Sequence, residues 1–578
     1  TRWTYWWEFN KNSYLLRPRG DGGGPQTGSD DFFLGSTRRQ QISQDSLEPT
    51  EKEAIETILP ALKKAIDSTD NRDMATACMI AMAKVGRDHP DFALIDVFAD
   101  RLPRGDQEVR ETAALAIGIA AIDGTRELEL LLSLAEDGVA GREASRGSKV
   151  TPRTRAFAAY GLGLMANRSQ QLATKLRVTK ALTQLIDGDD CERNLLVAAI
   201  HGLSLVRLDS DRPGERALST TALDCLERCY LSRRGPGDQL MQAHCPTAIA
   251  RLIDRDDDRA QRYRELFAAT LGGKERPARS SRDLPRSCAL ALGRLVRPVA
   301  EDRPYCEILL DAYRGNRDQQ TRYFAIIALG LIGGADNREA LLREFGRASK
   351  TQEKPWCALA LGLLEHGNRT GSAAATQQPD RLIGETLLDA LETSKNPDLT
   401  GALAVALGLC QFIDATPTMR QLLRQSISKA ELAGYLCIGL ALMRDRHSTD
   451  ALRDVLQLSL RRDDLMRQAA IGLGHLGDRE AALALHAMLA DDDPNLARLA
   501  AIANGLGYVG DRRSIEPLLT VLFDTEMTKL CRAFAAAALG GVADKERAPW
   551  NSKISEGINY RAAVETLIDN STGILDIL

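Results

Sequence analysis

Gly474, Gly507 and Gly540 stand 33 residues apart, in IGLGHLGD, NGLGYVGD and ALGGVADK, and Asp478, Asp511 and Asp544 keep the same step. A fixed period of this length constrains a chain more than its composition does. Each unit is one supersecondary element whose apolar face is buried only by its neighbours. Upstream the same apolar helix returns around Gly118, Gly163, Gly293, Gly330, Gly362 and Gly408, with weaker copies near Ala83, Ser204, Ala250 and Ala441, thirteen in all. Before each copy lies a second apolar segment at helical spacing, such as ELELLLSLA from Glu127 and SIEPLLTVLF from Ser514. The unit is therefore a helix pair. Alanine-rich runs without β-branched alternation argue against strands, and DDDP and GDRRS supply turns and helix starts. The expected fold is all-α, a right-handed α-solenoid of stacked antiparallel helix pairs.

The recurring small residue costs about 1 kcal/mol of helix propensity relative to alanine. It is tolerable if it lets adjacent helices approach closely. Stacked pairs then share one continuous core, which explains how 5% aromatic residues suffice for 578 residues. Six of those aromatics crowd into the first fourteen positions, TRWTYWWEFNKNSY, where Trp3, Trp6 and Trp7 share one helical face. An open solenoid needs a cap over its first repeat, and this segment is expected to be that cap, with docking elsewhere as the alternative. Three regions follow: residues 1–49 as aromatic cap and Gly/Pro-rich connection, 50–545 as the solenoid, and 546–578 as a C-terminal capping tail.

Composition excludes some classes. A formal net charge of -4 leaves no global basic surplus for nucleic acid or anionic membrane. No apolar run reaches the roughly 20 residues that cross a bilayer. Eleven cysteines, scattered singly through apolar helices, read as buried free thiols rather than a disulfide framework. The chain opens on Thr1, which leaves room for a removed N-terminal piece such as an export signal. A cytoplasmic location remains the alternative.

VRETAALAIGIA, CRAFAAAALGGVADK and MRQAAIGLGHLGDREAALAL resemble HEAT repeats, in particular the short subtype named after phycobilisome lyases. The likeness runs over about residues 72–545. It implies that Arg110, Arg155, Arg322 and Arg532, each eight positions before a small-residue anchor, pair with a turn aspartate. WTYWWEFNKNSYLL and PWNSKISEGINYRAAVETLIDNSTGILDIL are similar to a family of bacterial HEAT-repeat proteins without an established activity. That resemblance implies export and an interaction role and supplies no reaction.

Apparent chemical motifs have structural explanations. GLGHLG and GLGYVG match the dinucleotide fingerprint, yet each closes an alanine-rich helix with no preceding strand. Cys225, Cys229, His244 and Cys245 have spacing unlike common zinc sites and read as buried thiols plus one surface histidine. The His-Glu pairs of the HEAT-repeat enzyme deoxyhypusine hydroxylase do not occur. No catalytic, cofactor or metal residues are assigned.

Two insertions, GREASRGSKVTPRTR from Gly141 and GGKERPARSSRDLPR from Gly272, each carry five basic residues against one and two acidic ones. Both fall between the two helices of a repeat, three repeats apart, so a regular solenoid places them on one edge. Arg142, Arg146, Arg153, Arg276, Arg279 and Arg282 are the candidate contacts for an acidic protein partner. The expected function is a noncatalytic protein-interaction scaffold. Nucleic-acid binding is the alternative, and a phycobilin-lyase-like enzyme a more distant one.

Overall fold

The computed structural model describes residues 2–15, 47–104, 106–188, 192–232, 239–273, 282–370, 378–459, 462–478, 480–489 and 496–544. An N-terminal helix, α1 (Trp3–Asn10), precedes the repeats. Thirteen helices then form an inner row among the described residues. They are α2 (Arg72–Val85), α3 (Gln107–Ala120), α4 (Pro152–Arg168), α5 (Arg193–Leu205), α6 (His244–Leu252), α7 (Asp283–Leu295) and α8 (Gln319–Ile332). The row continues with α9 (Lys354–Thr370), α10 (Pro397–Cys410), α11 (Ala430–Leu442), α12 (Asp463–Leu476), α13 (Leu496–Val509) and α14 (Lys529–Val542). Before each lies one outer helix of the same repeat, from Leu59–Asp67 to Ile515–Phe523.

Successive inner helices pack on each other along the whole row, whereas successive outer helices touch in only a few places. That asymmetry bends the stack toward the row carrying the small residues. The bend goes to completion: α14 packs on α2 as closely as neighbours do within the row, where only α4 and α5 pack more extensively. The solenoid is therefore a closed ring, a finding that a repeat count alone did not predict.

The recurring glycine explains both the curvature and the closure. A Cβ added at Gly118 would stand 2.3 Å from the Gly161 Cα, and one at Gly163 would stand 2.4 Å from the Gly202 Cα. At the seam, a Cβ on Gly540 would stand 2.5 Å from the Ala81 Cα. Backbone thus meets backbone at the seam as it does elsewhere, and only a hydrogen at these positions permits it. Outer contacts also bridge the seam, with Arg512 paired to Glu53 at 2.9 Å and its N–H donating to the Leu47 carbonyl at 2.7 Å.

The inner-row arginines take a different partner from the one the resemblance implies. Arg155 donates through Nε to the Ala135 carbonyl at 3.0 Å, Arg322 to Tyr313 at 2.7 Å and Arg532 to Leu522 at 2.7 Å. Each acceptor lies in the last turn of the outer helix of the same repeat. The last four carbonyls of a helix lack intrahelical donors and carry the negative end of its dipole, so a guanidinium there satisfies both. Turn aspartates find other arginines: Asp478 accepts from Arg453 Nε at 3.0 Å, and Asp511 caps the following turn while binding Arg513.

The ten described cysteines form no disulfide with one another, and nine are buried. No described helix is long and apolar enough to cross a membrane. The expectations for residues 16–46 and for 546–578, including the capping tail, lie outside the described residues.

Candidate functional site

In every repeat the chain runs from outer to inner helix, so the inner helices are parallel and their first turns share one face of the ring. The wall they form around the central lumen is the most distinctive surface of the molecule. The aromatic N-terminus lies on that wall, against repeats far away in sequence rather than over the first repeat.

Trp3 stacks near Tyr435 of α11 with ring centroids 4.8 Å apart, and its indole N–H donates to the Asp398 carbonyl of α10 at 3.2 Å. Gly401 lies against both rings, where an added Cβ would stand 3.1 Å from Tyr435 and 3.4 Å from the indole. Arg2 bridges Asp398 at 3.0 Å and Glu431 at 2.7 Å, in the first turns of α10 and α11. Further along, Gln468 of α12 donates to Glu8 at 3.3 Å, and Glu8 pairs with the buried Lys11 at 2.7 Å. Tyr14 meets His366 of α9 edge-on at 5.0 Å, and the Leu15 carbonyl sits 2.7 Å from His475 Nδ1 in the last turn of α12.

Residues 2–15 therefore cross the wall from the first turns of the inner helices to their last turns. Trp3, Trp6 and Trp7 are all buried, Trp7 completely. The correction to the expected cap has a plain cause: a closed ring has no open first repeat to cover. The apolar face instead finds the concave wall.

Two arginines stand on the inner helices that precede this stretch of wall. Arg251, in the last turn of α6, and Arg294, in the last turn of α7, both have exposed side chains. Protein nonetheless surrounds them, and burial pushes the Arg251 guanidinium down to about 10, with the Arg294 charge acting in the same direction. Burial likewise lowers Arg294, and the nearby Tyr14 opposes that shift.

His201 of α5 and His244 of α6 join through Nε2 and Nδ1 at 2.8 Å. Burial drives His244 down to about 3 and His201 well below the usual range, so both rings are neutral. His244 is thus a buried residue and not the surface histidine expected. Cys225 turns to the Thr183 carbonyl and to Asp187, and among the described residues no three His, Cys, Asp or Glu groups converge to hold a metal ion.

The first basic insertion leaves from an outer-to-inner connection and so lies on the face bearing the first turns of the inner helices, while residues 274–281 of the second lie outside the described residues. Arg142 is held by Asp137 through two N–H···O contacts, at 3.0 and 2.9 Å. Arg153 binds the fully buried Glu111 at 2.9 Å. Burial raises Glu111 to about 7, against the opposing charge of Arg153. Arg146, in the left-handed region at φ 48°, and Arg282, just before α7, are exposed. Arg276 and Arg279 lie outside the described residues. What the sequence pattern missed is that Glu111 of α3, in the preceding repeat, and Asp137, just before the insertion, engage two of its arginines.

No family model matches the chain, and no curated protein matches it. Solved structures align with it at low similarity. A crystal structure of importin beta aligns at 12% identity and TM-score 0.34, covering 94% of this chain and 72% of that one. Kap121p aligns at 13% identity and TM-score 0.35, covering 87% of this chain and 55% of that one. A chain from a cadherin and beta-catenin complex aligns at 13% identity and TM-score 0.25, over 79% of this chain. This chain is an all-α helical solenoid. Its ring closure is read from its own contacts.

Proposed function

We propose that the protein is a noncatalytic scaffold for protein–protein interaction, with the inner wall and the basic loop edge as its binding surfaces. The seat of α1 carries this reading. Helices α9 to α12 hold an aromatic helical segment through ring contacts, a backbone carbonyl and paired charges, as a groove takes an amphipathic helix. A wall with that chemistry suits a helix from a partner as well as one from its own chain.

On the edge, Arg146 and Arg282 are exposed and have no carboxylate partner among the described residues, which suits an acidic partner. Arg142 and Arg153 contribute less, because Asp137 and Glu111 already hold them. Arg276 and Arg279 extend the second insertion and belong to the same proposed surface. On its motifs we read the repeat as the short phycobilisome-lyase-like HEAT subtype of a bacterial protein.

The test is quantitative affinity capture from native extract with the parent and an Arg146→Glu/Arg282→Glu variant, with nucleic acid measured in both eluates. The scaffold reading expects a defined protein that the variant loses about tenfold or more. Retention of nucleic acid instead, with affinity falling steeply as salt rises, would replace it with the nucleic-acid alternative.

A further inference from the structure

The wall satisfies the two ends of the α1 segment better than its middle. At one end the half-exposed Arg2 joins Asp398 and Glu431, and at the other the Leu15 carbonyl meets His475. In the middle, the Trp7 indole N–H and the Gln468 side-chain carbonyl oxygen are buried with no hydrogen-bond partner among the described residues. Trp7 belongs to the segment and Gln468 to α12 of the wall, so each side of the contact carries one orphan. A buried donor or acceptor without a partner loses its hydration and gains nothing in return.

The covalent path from α1 to the ring is also far longer than the gap it crosses. Leu15 ends at the last turn of α12, and Leu47, where the described chain resumes, accepts from the Arg512 N–H just beyond α13. Those two helices are neighbours in the inner row, about 8–10 Å apart on the usual spacing of packed helices. Residues 16–46 lie between, a length of chain that spans about 100 Å at full extension. The path length therefore does not oblige α1 to stay on the wall. A tether presents its segment at an effective concentration of roughly millimolar order, and the noncovalent contacts alone decide whether the segment is retained.

We propose that α1 is an exchangeable occupant of the wall, and that an aromatic amphipathic helix of a protein partner displaces it. The inference rests on the reading of the wall as a protein-binding surface, and adds what competes for it. The wall specifies the competitor's chemistry. Asp398 and Glu431 call for a basic residue just ahead of the helix, as Arg2 stands ahead of Trp3. Tyr435 and Gly401 take an indole next, and its N–H reaches the Asp398 carbonyl. Large apolar groups follow three and four residues later, where Trp6 and Trp7 are buried. An amide side chain that donates to the Gln468 oxygen gives the partner a hydrogen bond that α1 does not make. With α1 seated, only a segment that binds more tightly than it does gains the wall.

The test is fluorescence anisotropy of a labelled synthetic peptide of residues 1–16, TRWTYWWEFNKNSYLL, titrated with the full chain and with its Arg2→Glu/Trp3→Ala variant. Saturable binding to the variant is expected, about tenfold or more tighter than to the parent, whose own segment competes. A peptide carrying the same two substitutions should bind neither. Equal affinity for parent and variant, or no saturable binding to either, overturns the proposal and makes α1 a fixed part of the fold. A concentration-dependent dimer of the parent that the variant does not form would give the wall to the segment of a second copy and reject a different partner. If the variant does not fold, hydrogen exchange of the parent decides: residues 2–15 should lose protection about tenfold or more sooner than α9 to α12, and equal protection rejects exchange. The peptide measurement needs no partner, so its failure leaves the scaffold reading to stand or fall on affinity capture.

Discussion

The seam between α14 and α2 and the junctions within the row use the same device, a small residue that brings two backbones into contact. They differ in how the partners are held together. Within the stack a short connection and the outer helices keep neighbours adjacent, and deeply buried charge can reinforce them, as where Lys175 of the outer helix Leu172–Asp187 meets Glu215 of the next, Pro213–Leu231, at 2.8 Å with both side chains almost inaccessible. At the seam, two ends of the solenoid meet across nearly the whole sequence, supported by the half-exposed Arg512–Glu53 pair. Closure is thus an ordinary repeat contact made without its usual tether.

The largest effect should come from within the stack. Removing one partner of a buried ion pair costs about 3–5 kcal/mol where the other charge is left unpaired. Because the Asp209 N–H and Arg212 still reach Glu215, Lys175→Met is expected to lose about 3 kcal/mol, the lower end of that range, in denaturant unfolding at pH 7. Burial alone would raise Glu215, yet the Lys175 hydrogen bond and the Asp209 N–H hold it below its ordinary value. That contribution is present above the unfolded carboxylate range and disappears as pH falls through the folded value, so the deficit of the variant should narrow in acid.

Gly540→Leu tests the seam. Overpacking commonly costs about 1–3 kcal/mol, and here the strain is relieved by parting α14 from α2. Small-angle scattering should show a larger radius of gyration, and hydrogen exchange should rise in both helices while α8 and α9 stay protected. An unchanged radius with uniform loss of protection would mean that the seam is no weaker a boundary than the rest.

Glu111 provides a pH test with the opposite sign. Burial raises its folded value to about 7, so the folded state binds its proton more tightly than the unfolded chain does. Its penalty is fully developed above pH 7 and fades as pH falls toward the ordinary carboxylate value. The stability of Glu111→Gln relative to the parent should therefore be greater at pH 7.5 than at pH 5.

The smallest effects should be at the surface. Arg512→Ala removes a partly exposed pair worth about 1 kcal/mol at most, and more readily seen at low salt. Gly346→Ala, on the outer helix Ala335–Arg347 where an added Cβ meets nothing within 4 Å, should raise stability by under about 1 kcal/mol. The same change at Gly540 should lower it. If both substitutions stabilise, the distinction between inner and outer glycines fails.

Much of the architecture was legible in the sequence, because the period, the paired apolar segments and the small-residue anchor all act locally. Closure was less legible, since it accumulates from small rotations at thirteen junctions. One signal was available: the outermost repeats of an open solenoid need polar outer faces. TACMIAMA in α2 and AFAAAALGG in α14 are apolar nearly all round. The aromatic face of α1 announced burial but not its location, because Asp398, Tyr435 and His475 carry no mark of that partnership in the local pattern. Arg155, Arg322 and Arg532 were visible by spacing, whereas their carbonyl acceptors depend on how each pair folds back on itself.

The position of Trp3 has a consequence for biosynthesis. Its indole donates to a carbonyl 395 residues later in the chain. At synthesis rates of about 5–20 residues per second, the wall it occupies leaves the ribosome roughly 20–80 seconds after the segment itself. During that interval three tryptophans have no native seat, and the nascent chain is at its most adhesive before the ring has a wall to receive them.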